Sequence, residues 1–516
     1  MLKRNLVMAS MLAVIAASIA HAAVPAKPSI SWMPTTYDSG QSISITWNMW
    51  WGTNGTQWAV AANGADICSA TIAANGNNAQ TGQCVADFEA GSYSLVARLC
   101  TADGCSQSSA VTISVAGATG PDPDPDPDLP GSDCGIQTDA NGQYTLCRSD
   151  IETSESAKTA SDLFVRVKKD IQVLPESDTQ SIAPGRLANP ENVKRVERIV
   201  TPAAFEYMFS MRHPAYTYQG FLQAVGKFPG YCATYEGKDS DAICRKLIAT
   251  LVAHGGQETG AHDPNASIEQ WRQSMYYLRE AGCTEGAPGC GYDVTCDPNS
   301  WQGQKWACGA GKQYYGRGYK QLSYNFNYGP FSTALFGDSS IFLQEPDKVA
   351  TSYYPIASAI WFTVTPQSPK PSILHVVDGT WQPNAVDASR GIKKGFGATT
   401  NIVNGGIECG QSTDGIHEKP QSANRIQYYR GVAAYLGVDI AADEELGCAG
   451  QDAYVVEGAG GLLLNWDQDW RYVAENPGGK SFECKLVGYQ TAYSVLEAGD
   501  YEKCLVKYFD VTILEK

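Results

Sequence analysis

The sequence is poor in basic residues and in histidine. It has 38 Lys and Arg against 54 Asp and Glu, a net charge of −16, and six histidines. A nucleic-acid partner needs clustered Lys and Arg to neutralise phosphates, so this balance argues against one. His254, His262 and His375 lack the spacing of a metal triad, and Cys-x-x-Cys pairs are missing. We therefore expect no metal, no other cofactor and no nucleic acid.

Long apolar runs are also missing beyond the N-terminus, which argues against a later membrane span. Residues 1–22 combine a Lys3-Arg4 start, an apolar run from Leu6 to Ala20 and an Ala-His-Ala ending. This order is typical of a secretory signal peptide; a membrane anchor is the alternative, although the run is short for spanning. We expect a secreted, extracellular protein that is monomeric and free of the membrane after the signal is removed.

Cysteine, by contrast, is abundant. Sixteen cysteines, an even number, are typical of an exported protein that forms disulfides. The sequence does not fix the pairing, but short spacings favour five local pairs: Cys68–Cys84, Cys100–Cys105, Cys134–Cys147, Cys296–Cys308 and Cys484–Cys504.

At 516 residues the chain is long enough for several domains. Short alternating runs in residues 23–117 predict an antiparallel β-sandwich. Residues 118–133 contain PDPDPDPDLPGSD, which favours an extended tether. A cystine-closed preamble and connection follows in 134–199, and the patterns of 200–446 predict a mainly α-helical, lobed domain with a groove. The role of 447–516 stays open; Trp466 and Trp470 there are expected in a core.

Tryptophan is concentrated in the first of these domains. In the segment WNMWWG, Trp47 is in phase with a strand and is predicted to be core, so at least one of Trp50 and Trp51 should point outward. Exposed aromatic rings stack on the apolar faces of sugars. The alternative is that all the tryptophans of this domain are core residues.

The segments KPSISW (27–32), ITWNMWWGTNG (45–55) and ARLCTADGCSQSSAVTISV (97–115) resemble the N-terminal domain of bacterial chitinase A enzymes. The resemblance implies an immunoglobulin-like or fibronectin-like sandwich that docks on crystalline chitin. By motif position, Trp32 and Trp50 match its surface-stacking tryptophans.

Two carboxylates in the stretch 247–280 are candidates for catalysis. Apolar residues at helical spacing predict a buried helix that ends at the glycines after His254, which leaves Glu258 beside an irregular segment. Residues 268–278 predict a second helix that is closed by Glu280. Two acids on separate supports can face each other across a groove, as glycoside hydrolysis requires, although most carboxylates are solvated surface groups.

Residues 200–446 resemble the family 19 glycoside hydrolases, the plant-type chitinases, over roughly half of the chain. The resemblance implies a mainly α-helical, lysozyme-like bilobal catalytic domain. It is carried by segments in the family's order: YTYQGFLQAVGKFPGY (216–231), HGGQETG (254–260), YYLRE (276–280), WACGAGKQYYGRGYKQLSYNFNYGP (306–330), AIWFTVTPQSPKPS (359–372), GFGATTNIVNGGIECG (395–410) and NRIQYYRGVAAYLGV (424–438).

The resemblance also implies site residues. Glu258 matches the general acid, Glu280 the general base, and Ser323 the serine that holds the attacking water. Arg425 matches a partner that positions the acids. The substrate-binding set implied for the groove is Gln321, Asn327, Asn404, Arg425, Trp306 and Tyr314. Two positions depart from the family pattern: Gln257 replaces a histidine and Phe326 replaces a tyrosine.

The resemblance implies a single-displacement, inverting hydrolysis, and no cofactor is expected. A protonated Glu258 donates to the leaving oxygen while ionised Glu280 activates a water, across a gap of roughly 6.5–9.5 Å. Partial burial is expected to raise the pKa of Glu258, and Arg425 and Ser323 are expected to keep Glu280 ionised and aimed.

The sequence therefore predicts a secreted endochitinase that cleaves β-1,4 bonds between N-acetylglucosamine units of chitin and chitooligosaccharides. Two alternatives remain: a hydrolase of peptidoglycan, and a catalytically silent chitin-binding protein.

Overall fold

The computed structural model describes residues 24–31, 33, 36–38, 42–50, 52–74, 79–116, 134–411 and 415–516. The predicted signal peptide, the predicted tether and Trp32 lie outside these residues. The chain divides into two compact units, Met1–Asp128 and Leu129–Lys516. No helix in the described part of the chain is long and apolar enough to cross a membrane.

The described part of the first unit consists of short β-strands in two sheets. They are β1 (Ser29–Ile30), β2 (Thr36–Asp38), β3 (Ser42–Met49), β4 (Gln57–Ala62), β5 (Ala65–Thr71), β6 (Gln80–Asp87), β7 (Gly91–Thr101), β8 (Gly104–Gln107) and β9 (Val111–Ala116). One sheet has the order β1-β3-β6; the other has the order β2-β9-β7-β4-β5, with β8 paired to β7. The prediction of a separate β-rich domain is confirmed, while its immunoglobulin-like or fibronectin-like type stays a prediction.

Strand alternation builds the core of this unit. Every second residue of β3, from Ile43 through Trp47 to Met49, is buried in one cluster with residues of both sheets. The predicted core position of Trp47 is therefore confirmed. The disulfide Cys68–Cys84 joins β5 to β6 and so links the two sheets covalently.

The second unit is mainly helical. Its helices are α1 (Arg148–Lys158), α2 (Asp162–Asp170), α3 (Glu176–Gln180), α4 (Glu191–Ile199), α5 (Pro202–Met208), α6 (Tyr218–Lys227), α7 (Ser240–Thr259), α8 (Trp301–Lys305), α9 (Asn325–Phe336), α10 (Ser340–Gln344), α11 (Tyr354–Val364), α12 (Ile373–Asp378), α13 (Ala385–Ser389), α14 (Phe396–Glu408), α15 (Pro420–Leu436) and α16 (Asp500–Phe509). Its strands are β10 (Gln137–Thr138), β11 (Tyr144–Cys147), β12 (Asn465–Gln468), β13 (Cys484–Val487) and β14 (Thr512–Leu514).

Helix α7 runs through the core of this unit and carries Glu258 in its last turn. The side chain of Asp239 caps its first turn by accepting from two backbone N–H groups. The prediction that the helix ends after His254 is wrong, because Gly255 and Gly256 lie inside it. A Cβ atom on Gly255 would lie 2.2 Å from the ring of Tyr319. The glycine thus permits a close approach of helix and ring, and tertiary packing outweighs its poor helix propensity.

The predicted helix over residues 268–278 is also wrong. Only Gln270–Gln273 form a short 3₁₀ helix, and Met275 has a φ of +62°, outside the helical region. The backbone N–H of Met275 instead donates to Oγ1 of Thr259, and that of Glu280 donates to the carbonyl of Gly316. The apolar spacing that predicted a helix reflects burial of these side chains in the core of an irregular segment.

The two ends of the second unit pack together into one substructure. Strand β11 pairs in parallel with β14, and apolar residues of both ends form a common cluster. We call residues 134–173 and 462–516 the accessory subdomain. Trp466 is buried in its core as expected, but Trp470 is 73% exposed, so the core prediction for Trp470 is wrong.

All sixteen cysteines are paired. The five local pairs favoured by the sequence are present. Three further disulfides join Cys232–Cys244, Cys283–Cys290 and Cys409–Cys448. Two of the eight, Cys283–Cys290 and Cys296–Cys308, close neighbouring loops directly after Glu280.

Candidate active site

Glu258 lies in a network of charged groups at the C-terminal end of α7. Its Oε1 accepts from Nη2 of Arg425 at 2.6 Å, and its Oε2 lies 4.0 Å from Nζ of Lys320. The side chain keeps 18% of its surface exposed. It is therefore held by protein contacts and still reaches solvent.

Arg425, on α15, joins Glu258 to a second carboxylate. Its Nε and Nη2 each donate to Glu408 at 2.7 Å, and Nη1 donates to the backbone carbonyl of His254 at 3.2 Å. Asn404 also donates to Glu408, at 2.8 Å. A bidentate guanidinium–carboxylate pair of this kind fixes orientation as well as charge. Arg425 is thereby aimed at Glu258.

Sequence reasoning missed Glu408. A signal was available, because Glu408 follows Asn404 by one helical turn in α14. Its buried carboxylate also needs a cation nearby. What the sequence does not reveal is that Arg425 supplies this cation to two carboxylates at once.

The charged network decides the protonation of Glu258 in this state. Burial by itself raises the pKa of the carboxyl, but Lys320 and Arg425 outweigh burial and lower the pKa below its usual range. The prediction of a raised pKa is therefore wrong, since it counted burial and omitted the two cations. Burial and the same two cations also lower the pKa of His254 well below its usual value, so His254 is neutral.

Glu280 has different partners. The hydroxyl of Tyr292 donates to its Oε1 at 2.7 Å, and the backbone N–H of Gly316 donates to its Oε2 at 2.9 Å. Both donors are neutral. The expectation that Arg425 and Ser323 hold Glu280 is wrong: Arg425 contacts Glu258, and the hydroxyl of Ser323 donates to the carbonyl of Gln321.

A cleft of about 910 Å³ runs past this region. Of the predicted catalytic and groove residues, five line it: Trp306, Gln321, Ser323, Asn327 and Asn404. The side chain of Asn327 donates to the backbone carbonyl of Ser323 at 2.8 Å, which fixes the Asn327 side chain against the Ser323 backbone. The structure therefore brings five of the predicted residues to one surface.

Two predicted groove residues do not reach the cleft. Tyr314 is fully buried; its hydroxyl accepts from the N–H of Gly309 and donates to the carbonyl of Leu343. Arg425 is only 1% exposed and directs its donors at protein groups. Assigning these two residues to direct sugar contact is thus wrong, because neither has surface to offer a ligand.

Both carboxylates are connected to the same stretch of cleft wall. Lys320 lines the cleft and faces Glu258, while the next residue, Gln321, also lines it. The side chain of Gln321 lies against Gly316, the residue that donates to Glu280. Glu258 itself lines a small adjoining cavity that shares Lys320 with the cleft, and Glu280 is not among the residues that line the cleft. The cleft wall therefore approaches the two acids through Lys320 and Gln321.

The two departures from the family pattern are part of this region. Phe326 lines the cleft and stacks on Tyr324 with ring centres 5.3 Å apart. Gln257 precedes Glu258 on α7, and its buried Oε1 has no hydrogen-bond partner among the described residues.

Comparison with known proteins identifies the family. Residues 199–448 match the family described as class I chitinase, and residues 35–125 match the N-terminal domain of chitinase A. Endochitinase 1 of Solanum tuberosum is 39% identical over 252 residues, which cover 48% of this chain and 70% of that protein. The chain belongs to the class I chitinase family.

Other chitinases resemble the same half of the chain. Chitinase 12 of Oryza sativa subsp. japonica is 38% identical over 264 residues, covering 50% of this chain and 74% of that protein. The crystal structure of chitinase C from Streptomyces griseus HUT6037 is 25% identical, covers 48% of this chain and 97% of that chain, and has a TM-score of 0.36. Membership of the class I chitinase family makes this chain a glycoside hydrolase.

Proposed function

We propose that this class I chitinase is an exported endo-acting enzyme. It hydrolyses internal β-1,4 bonds between N-acetylglucosamine units of chitin by a single displacement that inverts the anomeric carbon. The observation that carries the proposal is the link from both carboxylates to one cleft wall through Lys320 and Gln321. A neutral polymer suits an enzyme of net charge −16, since it is not repelled.

Each carboxylate has one role in this proposal. Glu258 protonates the oxygen of the leaving sugar, and Glu280 removes a proton from the water that attacks the anomeric carbon. Tyr292 and the N–H of Gly316 orient the carboxylate of Glu280, because both donate to it. Arg425 donates to Glu258 and is itself held by Glu408, so these two residues fix the position of the Glu258 carboxylate. The chain supplies these groups without a cofactor.

Proton NMR of a soluble chitin oligomer during hydrolysis tests the proposal. An inverting enzyme attacks with water directly, so the first product signal is the α-anomer and the β-anomer grows in by mutarotation. Internal cleavage gives products of intermediate length from the start. The β-anomer as first product would refute the single displacement, and no cleavage of the oligomer would refute the substrate.

The first unit is proposed to bind the surface of chitin through exposed tryptophans. Trp50 is 62% exposed, which supports stacking of its ring on a sugar face. We expect Trp50→Ala to lower adsorption to insoluble chitin several-fold while hydrolysis of soluble oligomers is unchanged; Trp58→Phe, in the half-buried part of the same unit, is the control. Unchanged adsorption of Trp50→Ala assigns the surface contact to other residues.

A further inference from the structure

The cleft extends beyond the segment that matches the class I chitinase family. That segment runs from residue 199 to residue 448. The cleft is also lined by side chains of the accessory subdomain, which lies outside this range. Among them are Gln172, which follows α2, Asn465 at the start of β12, and Gln490 and Thr491, which follow β13. Part of the wall therefore comes from residues that have no counterpart in the matched family segment.

Three of these side chains are amides with unused hydrogen-bonding groups. The amides of Gln172, Asn465 and Gln490 make no side-chain hydrogen bond to any residue that the structure describes, and Gln172 and Gln490 are exposed. Each amide offers two donors and one acceptor oxygen. These groups suit the hydroxyl and N-acetyl groups of an uncharged sugar and give no preference to an anion or a cation.

Aromatic rings line the same cleft. Trp301, on α8, and the stacked pair Tyr324–Phe326 belong to the family segment and share the cleft with the accessory amides. Rings that cover the apolar face of a sugar, together with amides that bind its polar edge, are the usual composition of a carbohydrate site.

The accessory wall is rigidly attached. Nζ of Lys305, at the end of α8, lies 2.7 Å from the buried carboxylate of Asp500 and 3.2 Å from Glu497. On α2, the carboxylate of Asp170 contacts Nε2 of His375 at 2.9 Å. These contacts cross from the accessory subdomain to the catalytic helices. The amides are thus held beside the cleft before any ligand arrives, which reduces the entropy lost on binding.

We propose that the accessory subdomain supplies an additional binding subsite for an N-acetylglucosamine unit of a long chitin chain, in which Asn465 and Gln490 bind the sugar's polar edge. The inference rests on the proposed function. It goes further in assigning substrate recognition to residues outside the family segment. We expect such an enzyme to favour long oligomers over short ones, because an added subsite contributes binding only when the chain is long enough to occupy it.

The test uses the full-length enzyme with Asn465→Ala and Gln490→Ala combined. The measured quantity is the ratio of kcat/KM for the N-acetylglucosamine hexamer to that for the trimer. We expect this ratio to fall about tenfold through a higher KM for the hexamer, as for the loss of two hydrogen bonds. Gln468→Ala is the matched control: Gln468 lies three positions along β12, on the opposite face from Asn465, and does not line the cleft. The control should leave the ratio unchanged.

The outcomes separate the two proposals. A wild-type enzyme that cleaves both oligomers, with an unchanged ratio in the folded double variant, overturns the additional subsite and leaves the proposed function standing. A wild-type enzyme that cleaves neither oligomer overturns the proposed function itself. If circular dichroism shows that the double variant is unfolded, Gln490→Ala decides alone, because Gln490 is exposed and its side chain makes no hydrogen bond to a residue that the structure describes.

Discussion

The two carboxylates of the site are held in opposite ways. Glu258 lies at the end of a long buried helix and faces two cations, Arg425 and Lys320. Glu280 lies on an irregular segment and faces two neutral donors, the hydroxyl of Tyr292 and the N–H of Gly316. One environment is set by charge and the other by hydrogen bonds.

This difference bears on the proposed proton donor. Lys320 and Arg425 lower the pKa of Glu258, which favours its ionised form. Glu258 lines a small cavity that adjoins the cleft and shares Lys320 with it. Loss of solvent from this cavity on substrate binding favours the protonated form of a carboxylate, so we expect substrate binding and protonation of Glu258 to be coupled.

Glu258→Gln has the largest expected effect on the difference between the two carboxylates. The amide keeps the shape of the side chain but cannot donate the proton. We expect kcat to fall about 10³-fold, the range typical of a lost general acid, while binding to chitin persists. Kinetics on a soluble oligomer and a binding isotherm measure the two quantities. Glu269→Gln changes an exposed carboxylate far from the cleft and is the control. Near-native turnover of Glu258→Gln would remove the residue from the role of acid.

Tyr292→Phe tests whether a neutral hydrogen-bond donor holds Glu280. It deletes the donor to Oε1 of Glu280 and leaves the Gly316 contact. The carboxylate of Glu280 keeps one donor instead of two and is held less firmly toward the attacking water, so we expect about a tenfold loss of kcat on a soluble oligomer, measured by steady-state kinetics.

The control for this variant is Tyr276→Phe, because Tyr276 is exposed and its hydroxyl contacts neither carboxylate. An unchanged kcat in Tyr292→Phe would show that the hydrogen bond from Tyr292 is not needed to hold Glu280.

Lys320→Met removes one of the two cations that face Glu258, and it has the smallest expected effect of the three substitutions. Lys320 lowers the pKa of Glu258, so its removal raises that pKa. A proton donor with a raised pKa stays protonated to higher pH, and the alkaline limb of the kcat/KM profile should therefore move to higher pH.

The surface substitution Lys348→Met is the control for Lys320→Met, since Lys348 pairs with exposed Glu345. A downward shift of the alkaline limb in Lys320→Met, or no shift, would contradict a role of Lys320 in setting the pKa of Glu258.

Local patterns predicted the parts of the fold that neighbouring residues determine. The alternation of Ile43, Ile45 and Trp47 predicted a strand with one buried face, and the structure confirms it. The same kind of reasoning failed over residues 268–278, where apolar spacing was helical but the backbone is not. The side chains there are buried at helical spacing although the backbone is not helical. Thr259 and Gly316 accept hydrogen bonds from backbone N–H groups of this segment, which a helix would otherwise have satisfied internally.

The sequence by itself determined that this protein has a β-rich front domain, a helical second unit and membership of a chitinase family, and its short cysteine spacings favoured five of the disulfides, because each of these depends on composition, short spacing or ordered motifs. Only the tertiary structure decided which groups surround each carboxylate. Arg425 is 167 positions from Glu258, and Arg148 and Glu502, which join the two ends of the accessory subdomain, are 354 positions apart. Contacts between residues so far apart in the sequence depend on how helices and strands pack against each other, and a local sequence pattern does not predict that packing.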